Sequence, residues 1–146
     1  MCEKIERLRE LVRELPDDYP TAGVTLEDMK EVANNVTKYR LLGDKFALSY
    51  SLFDHPNISI AHTTIPKGGY WGYHQHLPPV KNEIVFMVEG EMEIDMLGEG
   101  KVKIKAGSND FHIMNQNVIH DAYAVTKVVI IAVTIPRDYG FPKGLN

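Results

Sequence analysis

The chain has 146 residues, of which 44% are hydrophobic and 25% charged, and its formal net charge is −4 at pH 7. This composition is typical of a globular protein with one domain and one core. The acidic balance argues against a nucleic-acid partner, which needs a concentrated basic face. No apolar run approaches the length of a membrane span. The single cysteine, Cys2, and an N-terminus without the apolar stretch of a signal peptide favour a cytoplasmic protein.

Residues 1–43 are predicted to form a helical segment that packs on the domain formed by residues 44–146. From Glu3 to Leu15 apolar side chains recur at the spacing of one helix face, and Pro16 ends this helix. A second short helix is expected from Thr25, whose hydroxyl can cap its first turn. Its buried face would consist of Met29, Val32, Ala33 and Val36. The sequence leaves open whether these helices cover one end of the domain or form a subunit contact.

After Gly43 the sequence changes to short segments that are rich in β-branched and aromatic residues and bounded by Gly, Pro, Asn or Asp. Many such segments without intervening helices predict an all-β fold, either a sandwich or a barrel. The predicted strands are Phe46–Phe53, Ile58–Ile65, Glu83–Val88, Met92–Met96, Lys101–Ile104, Asp110–Met114, Ala122–Val125 and Val128–Ile135.

The residues that carry chemistry begin with two histidines. His74 and His76 are two apart, so on a strand their imidazoles point to the same side of the sheet, an arrangement that suits a transition metal. Glu83 can supply a carboxylate oxygen from the next strand, and His120 can supply a third imidazole. Such a set satisfies a divalent ion and leaves coordination positions open for water, dioxygen or substrate.

The stretch from Gly68 to Gly90 resembles the first motif of the cupins, in which a glycine precedes His-x-His, a spacer, a glutamate and a second glycine. The corresponding residues here are Gly68, His74, His76, Glu83 and Gly90. The spacer before Glu83 has six residues, which is longer than usual for the motif.

The second cupin motif is similar to the stretch from Asn109 to His120, which supplies the final histidine. Asparagines replace the usual Gly, Pro and Gly at Asn109, Asn115 and Asn117. Asparagine tolerates a positive φ better than most residues, so the glycine replacements are compatible with the motif's turns.

The resemblance implies a double-stranded β-helix, or jelly-roll, barrel that holds one divalent transition metal ion (Fe, Mn, Ni or Zn) and forms a homodimer. Cupins include dioxygenases, decarboxylases, isomerases and lyases, and also members that only bind a ligand, so the fold does not define the reaction. The leading hypothesis is a metal-dependent dioxygenase acting on a small organic molecule. The alternatives are a non-redox isomerase or lyase, a ligand-binding module and a structural metal site.

Three further side chains are candidates for proton transfer. Tyr70 shares strand parity with His74 and could donate a proton or hold a substrate oxygen, although packing at the barrel rim is the alternative. His62 and His112 lie on predicted strands, where either could act as a general base or orient a metal ligand. A purely structural role is the alternative for both histidines.

Overall fold

The computed structural model describes residues 36–41, 45–76, 79–115 and 118–137. The two predicted N-terminal helices lie outside these residues, apart from Val36. The prediction that Val36 belongs to a helix is wrong, because this residue begins a strand that pairs antiparallel with the strand from Phe46. Its short segment, Val-Thr-Lys-Tyr-Arg, contains the β-branched and aromatic residues that favour a strand.

All regular structure in the described ranges is β-strand, and the sequence patterns located most of it. The strands are β1 (Val36–Arg40), β2 (Phe46–His55), β3 (Ile58–Ile65), β4 (Asn82–Glu89), β5 (Glu91–Met96), β6 (Gly100–Lys105), β7 (Phe111–Asn115), β8 (His120–Ala124) and β9 (Val128–Ile135). Every strand predicted from the sequence has a counterpart here, and β1 is the one that the helical interpretation missed.

The strands form two antiparallel sheets, which confirms the predicted all-β jelly roll. One sheet has six strands in the order β1-β2-β3-β9-β4-β7, and the other has three in the order β6-β5-β8. The side chains between them make one apolar core, which includes Trp71, Val85, Met92, Ile94, Ile104, Met114, Val128 and Ile130. In the part of the chain that the structure describes, no helix has the length and apolar character needed to cross a membrane.

Strand alternation decides which side chains enter the barrel. On β4, Glu83, Val85 and Met87 are buried, whereas Phe86 and Val88 point outward and are exposed. The buried face therefore delivers one carboxylate, Glu83, into an otherwise apolar interior.

Candidate metal centre

Three histidines meet inside the barrel. His74, His76 and His120 each offer one ligand atom, and these atoms all lie within 4.8 Å of one another. The ring centroids of His74 and His120 are 4.4 Å apart, and His76 lies 5.5 Å from each. Imidazole nitrogens at this spacing form a donor set that suits Zn, Cu, Fe or Ni. The structure thus brings together three of the four predicted ligands where a metal ion could be held.

The backbone that positions these histidines is not the regular strand on which the parity argument relied. Between Gly69 and His76 only Tyr70 and His74 form isolated bridges, and Gly72 has a φ of 87°, which interrupts extended geometry. His74 and His120 exchange two backbone N–H···O hydrogen bonds of 2.9 Å. This bridge holds the two imidazoles side by side, although they are far apart in sequence.

Backbone carbonyls fix the orientation of two of the rings. The Nδ1–H of His74 donates to the Gly72 carbonyl at 2.7 Å, and the Nδ1–H of His120 donates to the Val118 carbonyl at 3.0 Å. A carbonyl oxygen can only accept, so both Nδ1 atoms carry the proton. The Nε2 atom of each neutral ring then presents its lone pair, as metal ligation requires.

Glu83 is the predicted ligand that follows a longer spacer than the motif usually has. Its side chain lies against the histidines. Its carboxylate oxygens are 2.7 Å from Nε2 of His76 and 3.6 Å from Nε2 of His120. Burial by itself would raise the pKa of this carboxyl, but its close contacts with His76 and His120 hold that pKa well below its usual range. An ionised, buried carboxylate adds one negative charge to the imidazole donors, which offsets part of the charge of a divalent cation.

The charge state of His74 also fits a metal ligand. Burial, together with the neighbouring His120, lowers the pKa of His74 to about 4, against the opposing hydrogen bond to the Gly72 carbonyl. At neutral pH this ring is therefore neutral and available to a cation.

A small cavity opens directly beside the histidines. The cavity is small, with a volume of about 30 Å³ open to the centres of water-sized molecules. Its walls contain apolar side chains, one hydroxyl and three of the proposed ligands, namely Thr63, Trp71, His74, Glu83, Val85, Met92, Ile94, Met114, His120, Ala122, Ile130 and Ala132. The cavity is therefore a mainly apolar space beside the side chains that could hold a metal ion.

Trp71 faces the cavity, whereas strand alternation counted from His74 had predicted that Tyr70 would do so. The side chain of Trp71 is buried and lines the cavity, whereas Tyr70 is not part of the lining and lies against Tyr123 with a centroid separation of 6.3 Å. The turn at Gly72 shifts the alternation, so counting back by twos from His74 selects the wrong aromatic residue. The predicted role of Tyr70 in proton transfer stays a prediction, and its contact with Tyr123 agrees with the alternative of packing at the barrel rim.

The structure does not bring His62 to the cavity. Thr63 lines the cavity and pairs with Ile130, another lining residue, so the adjacent His62 projects from the opposite face of the sheet. His62 is buried there. The predicted role of His62 as a general base or orienting partner stays a prediction, for a side chain buried behind the cavity wall.

His112 lies on the inner side of β7, close to the site but outside its lining. Its Nε2 atom is 3.3 Å from the Met96 sulfur, and it pairs across strands with Val85, which does line the cavity. Burial lowers the pKa of His112, and the charge of His120 lowers it further. Its predicted role in proton transfer stays a prediction.

Asp121 is a positioning residue that the sequence reasoning missed. Its carboxylate accepts a hydrogen bond of 3.0 Å from the Gly72 N–H, while the Gly72 carbonyl holds His74. One residue, Gly72, therefore connects Asp121 to the orientation of the His74 ring. The only signal in the sequence was that Asp121 directly follows His120.

Replacing Asp121 with alanine is expected to weaken metal binding by about 10- to 100-fold, the usual effect of losing a partner that orients a ligand. Asp121→Asn keeps an oxygen acceptor for Gly72 and is expected to restore most of the affinity. Competition titration with a metal chelator measures both variants. Equal affinity in the alanine variant and the wild type would show that Asp121 does not orient His74.

Comparisons with known proteins agree on the fold. The structure is similar to an RmlC-like cupin from Shewanella frigidimarina, with a TM-score of 0.60, 19% identity, and coverage of 75% of this chain and 91% of that one. It is similar to a predicted oxalate decarboxylase from Thermotoga maritima, with a TM-score of 0.60, 21% identity, and coverage of 70% and 93%. It also matches ectoine synthase from P. lautus, with a TM-score of 0.59, 18% identity, and coverage of 80% and 78%.

No family model and no curated protein matches the chain by sequence. At identities this low the matches establish the fold alone, and that fold is the cupin barrel. The resemblance of the two sequence motifs to those of cupins therefore agrees with the architecture.

Proposed function

We propose that this protein is a metal-dependent cupin enzyme that oxidises a small organic molecule with dioxygen, in the manner of a dioxygenase. The observation that carries the proposal is the composition of the cavity wall. Among the described residues that line it, the only titratable side chains are His74, Glu83 and His120, all proposed metal ligands. Isomerases and lyases need a separate acid or base within reach of the substrate. Oxidation by dioxygen at a metal ion depends less on a separate acid or base.

His74, His76, Glu83 and His120 would hold the ion. A redox-active ion such as Fe(II) in this donor set would supply the activation of dioxygen beside the substrate. Four protein ligands would leave coordination positions on the ion for both dioxygen and the substrate.

The other lining residues would bind and orient the substrate. Trp71, Met114 and Ile130 offer apolar walls that exclude water from the reacting groups. The hydroxyl of Thr63 lies 3.0 Å from that of Ser49, and either oxygen can donate. With Ser49 donating, Thr63 keeps its own proton for a substrate oxygen, which would orient one polar group in an apolar cavity.

A non-redox isomerase or lyase is the second candidate, and His112 is the observation that favours it. This half-buried imidazole approaches the site from β7, and its lowered pKa keeps it neutral, as a general base must be. Two of the similar structures are named as a predicted decarboxylase and a synthase, so the neighbours' names do not favour a single reaction.

The test is oxygen uptake by protein loaded separately with Fe(II), Mn(II), Ni(II) or Zn(II) under anaerobic conditions and then given air and a panel of small organic acids, diols and phenols. We expect substrate-dependent oxygen consumption with Fe(II) only. His55→Ala, at an exposed residue at the end of β2, is the matched control and should leave the rate unchanged. Substrate conversion by the Zn(II) or Mn(II) protein without oxygen uptake would contradict the dioxygenase proposal and favour the second candidate.

A further inference from the structure

Two alanines line the cavity in the layer of side chains next to the candidate metal centre. Ala122 lies two residues after His120 on β8, so both side chains face the same side of that strand. Ala132 of β9 pairs with Val85, which lies two residues after Glu83 on β4. Each alanine is therefore one inward-facing position beyond the level of a proposed ligand. The two sheets contribute one small side chain each to this alanine layer.

The following inward layer carries a hydroxyl group. Thr63 of β3 pairs with Ile130 of β9, and Ile130 pairs with Met87, which is two residues beyond Val85 on β4. The side chain of Thr63 is only 2% exposed, and its hydroxyl oxygen lies 3.0 Å from that of Ser49. Among the described residues that line the cavity, the one hydroxyl therefore lies on the far side of the alanine layer from the ligands.

The volume between these two ends limits what can enter. A cavity needs about 10–15 Å³ on this measure to hold one water molecule, and the cavity here has about 30 Å³. It therefore has room for about two or three non-hydrogen atoms. The walls between the ligands and Thr63 are apolar, so a polar atom that enters is stabilised only where it reaches the Thr63 hydroxyl.

We propose that the substrate carries a short unbranched arm, which consists of two or three non-hydrogen atoms and ends in a hydroxyl or carbonyl oxygen. The carbon atoms of the arm occupy the alanine layer, where neither Ala122 nor Ala132 extends beyond its Cβ atom. The terminal oxygen of the arm forms a hydrogen bond with the hydroxyl of Thr63. The other end of the substrate supplies an oxygen to the ion.

This inference rests on the proposed function and names the substrate class for it. Short-chain diols, hydroxy acids and hydroxy ketones have an oxygen at each end of a narrow chain. Phenols and branched acids place too many atoms at the alanine layer. Ala122, Ala132 and Thr63 are thus the residues that determine specificity.

The first test is an NMR titration of the full chain, purified without added metal, with ethanol. Ethanol has the three non-hydrogen atoms and the terminal hydroxyl of such an arm. We expect saturable shifts of the methyl signals of Ile94 and Ile130, which line the cavity from opposite sheets. The dissociation constant should be roughly millimolar, because so small a ligand makes few contacts. tert-Butanol, which is branched, should give no saturable shift.

Three variants separate size from polarity. Ala132→Val fills the alanine layer and is expected to raise the dissociation constant of ethanol at least about tenfold. Thr63→Val keeps the branched shape but removes the hydroxyl, and should raise that constant about two- to tenfold, the effect of losing one neutral hydrogen bond. Ala106→Val is the matched control: Ala106 also packs against the core but lies outside the cavity lining, so ethanol binding should not change.

Xenon provides a second probe, because it binds apolar cavities without forming hydrogen bonds. In crystals under xenon pressure we expect one site in the cavity of the wild type and of Thr63→Val, and none in Ala132→Val. Xenon retained in Ala132→Val, or ethanol binding that is absent in the wild type or unchanged in either cavity variant, would overturn the proposal. Both probes are measured without turnover, so a failure of oxygen uptake on every substrate would count against the dioxygenase reaction alone.

Discussion

Replacing His74 and His76 together by alanine is expected to lower metal affinity by more than about 1,000-fold, to the point that purified protein carries no stoichiometric metal. Removing a residue that only orients a ligand lowers metal affinity about 10- to 100-fold, and this variant removes two ligands outright. His120 and Glu83 would remain, 3.6 Å apart, which is too few donors to retain a divalent ion. Elemental analysis and calorimetric titration of the metal-free protein measure the loss.

The fold should survive this double replacement, because the backbone bridge between residues 74 and 120 uses main-chain atoms. Circular dichroism checks that the sheets remain. His55→Ala serves as the control, since it removes a histidine outside the cavity lining and should keep full metal content. Unchanged metal content in the double variant would show that the ion binds elsewhere.

Replacing Gly90 with alanine is expected to destabilise the protein by more than about 4 kcal/mol, which places it among the exceptional point mutations. Gly90 turns the chain between β4 and β5 with a φ of +87°. A Cβ there would lie 2.2 Å from the Lys127 carbonyl oxygen and 2.6 Å from Oγ1 of Thr126. That carbonyl belongs to the backbone entering β9, and Thr126 accepts a hydrogen bond from the Glu91 N–H, so neither can move freely.

Gly98→Ala is the matched control for this prediction. Its φ is +80°, yet nothing lies within 4 Å of the added Cβ. This variant therefore measures the conformational cost alone, about 1–2 kcal/mol for a left-handed residue. Urea denaturation of both variants gives the two free energies of unfolding. Equal losses would show that the close approach at Gly90 contributes nothing.

The sequence was sufficient for the features that depend on local pattern. Short segments rich in β-branched and aromatic residues, bounded by Gly, Pro, Asn or Asp, predicted the strands from β2 to β9 and hence the all-β fold. The spacing of His74 and His76 placed both imidazoles together, and the second motif added His120. The strand signals are local, whereas His74 and His76 meet through the irregular backbone around Gly72 and the bridge to His120 rather than through regular strand alternation.

The errors occurred where the geometry depends on distant contacts. The left-handed Gly72 shifts the alternation, so Trp71 rather than Tyr70 lines the cavity. His62 could be assigned to a face only once the pairing of β3 with β9 was known. The hydrogen bond from Gly72 to Asp121 joins residues 49 apart in sequence, and no local pattern predicts it.

The central claim is that three histidines and one glutamate bind a single transition metal ion inside the barrel. Anomalous diffraction from crystals of the Fe(II)- or Zn(II)-loaded protein tests this most directly. We expect one anomalous peak per chain, about 2.0–2.2 Å from a nitrogen of His74, His76 and His120 and from an oxygen of Glu83. A peak at any other place, or none at saturating metal, would contradict it.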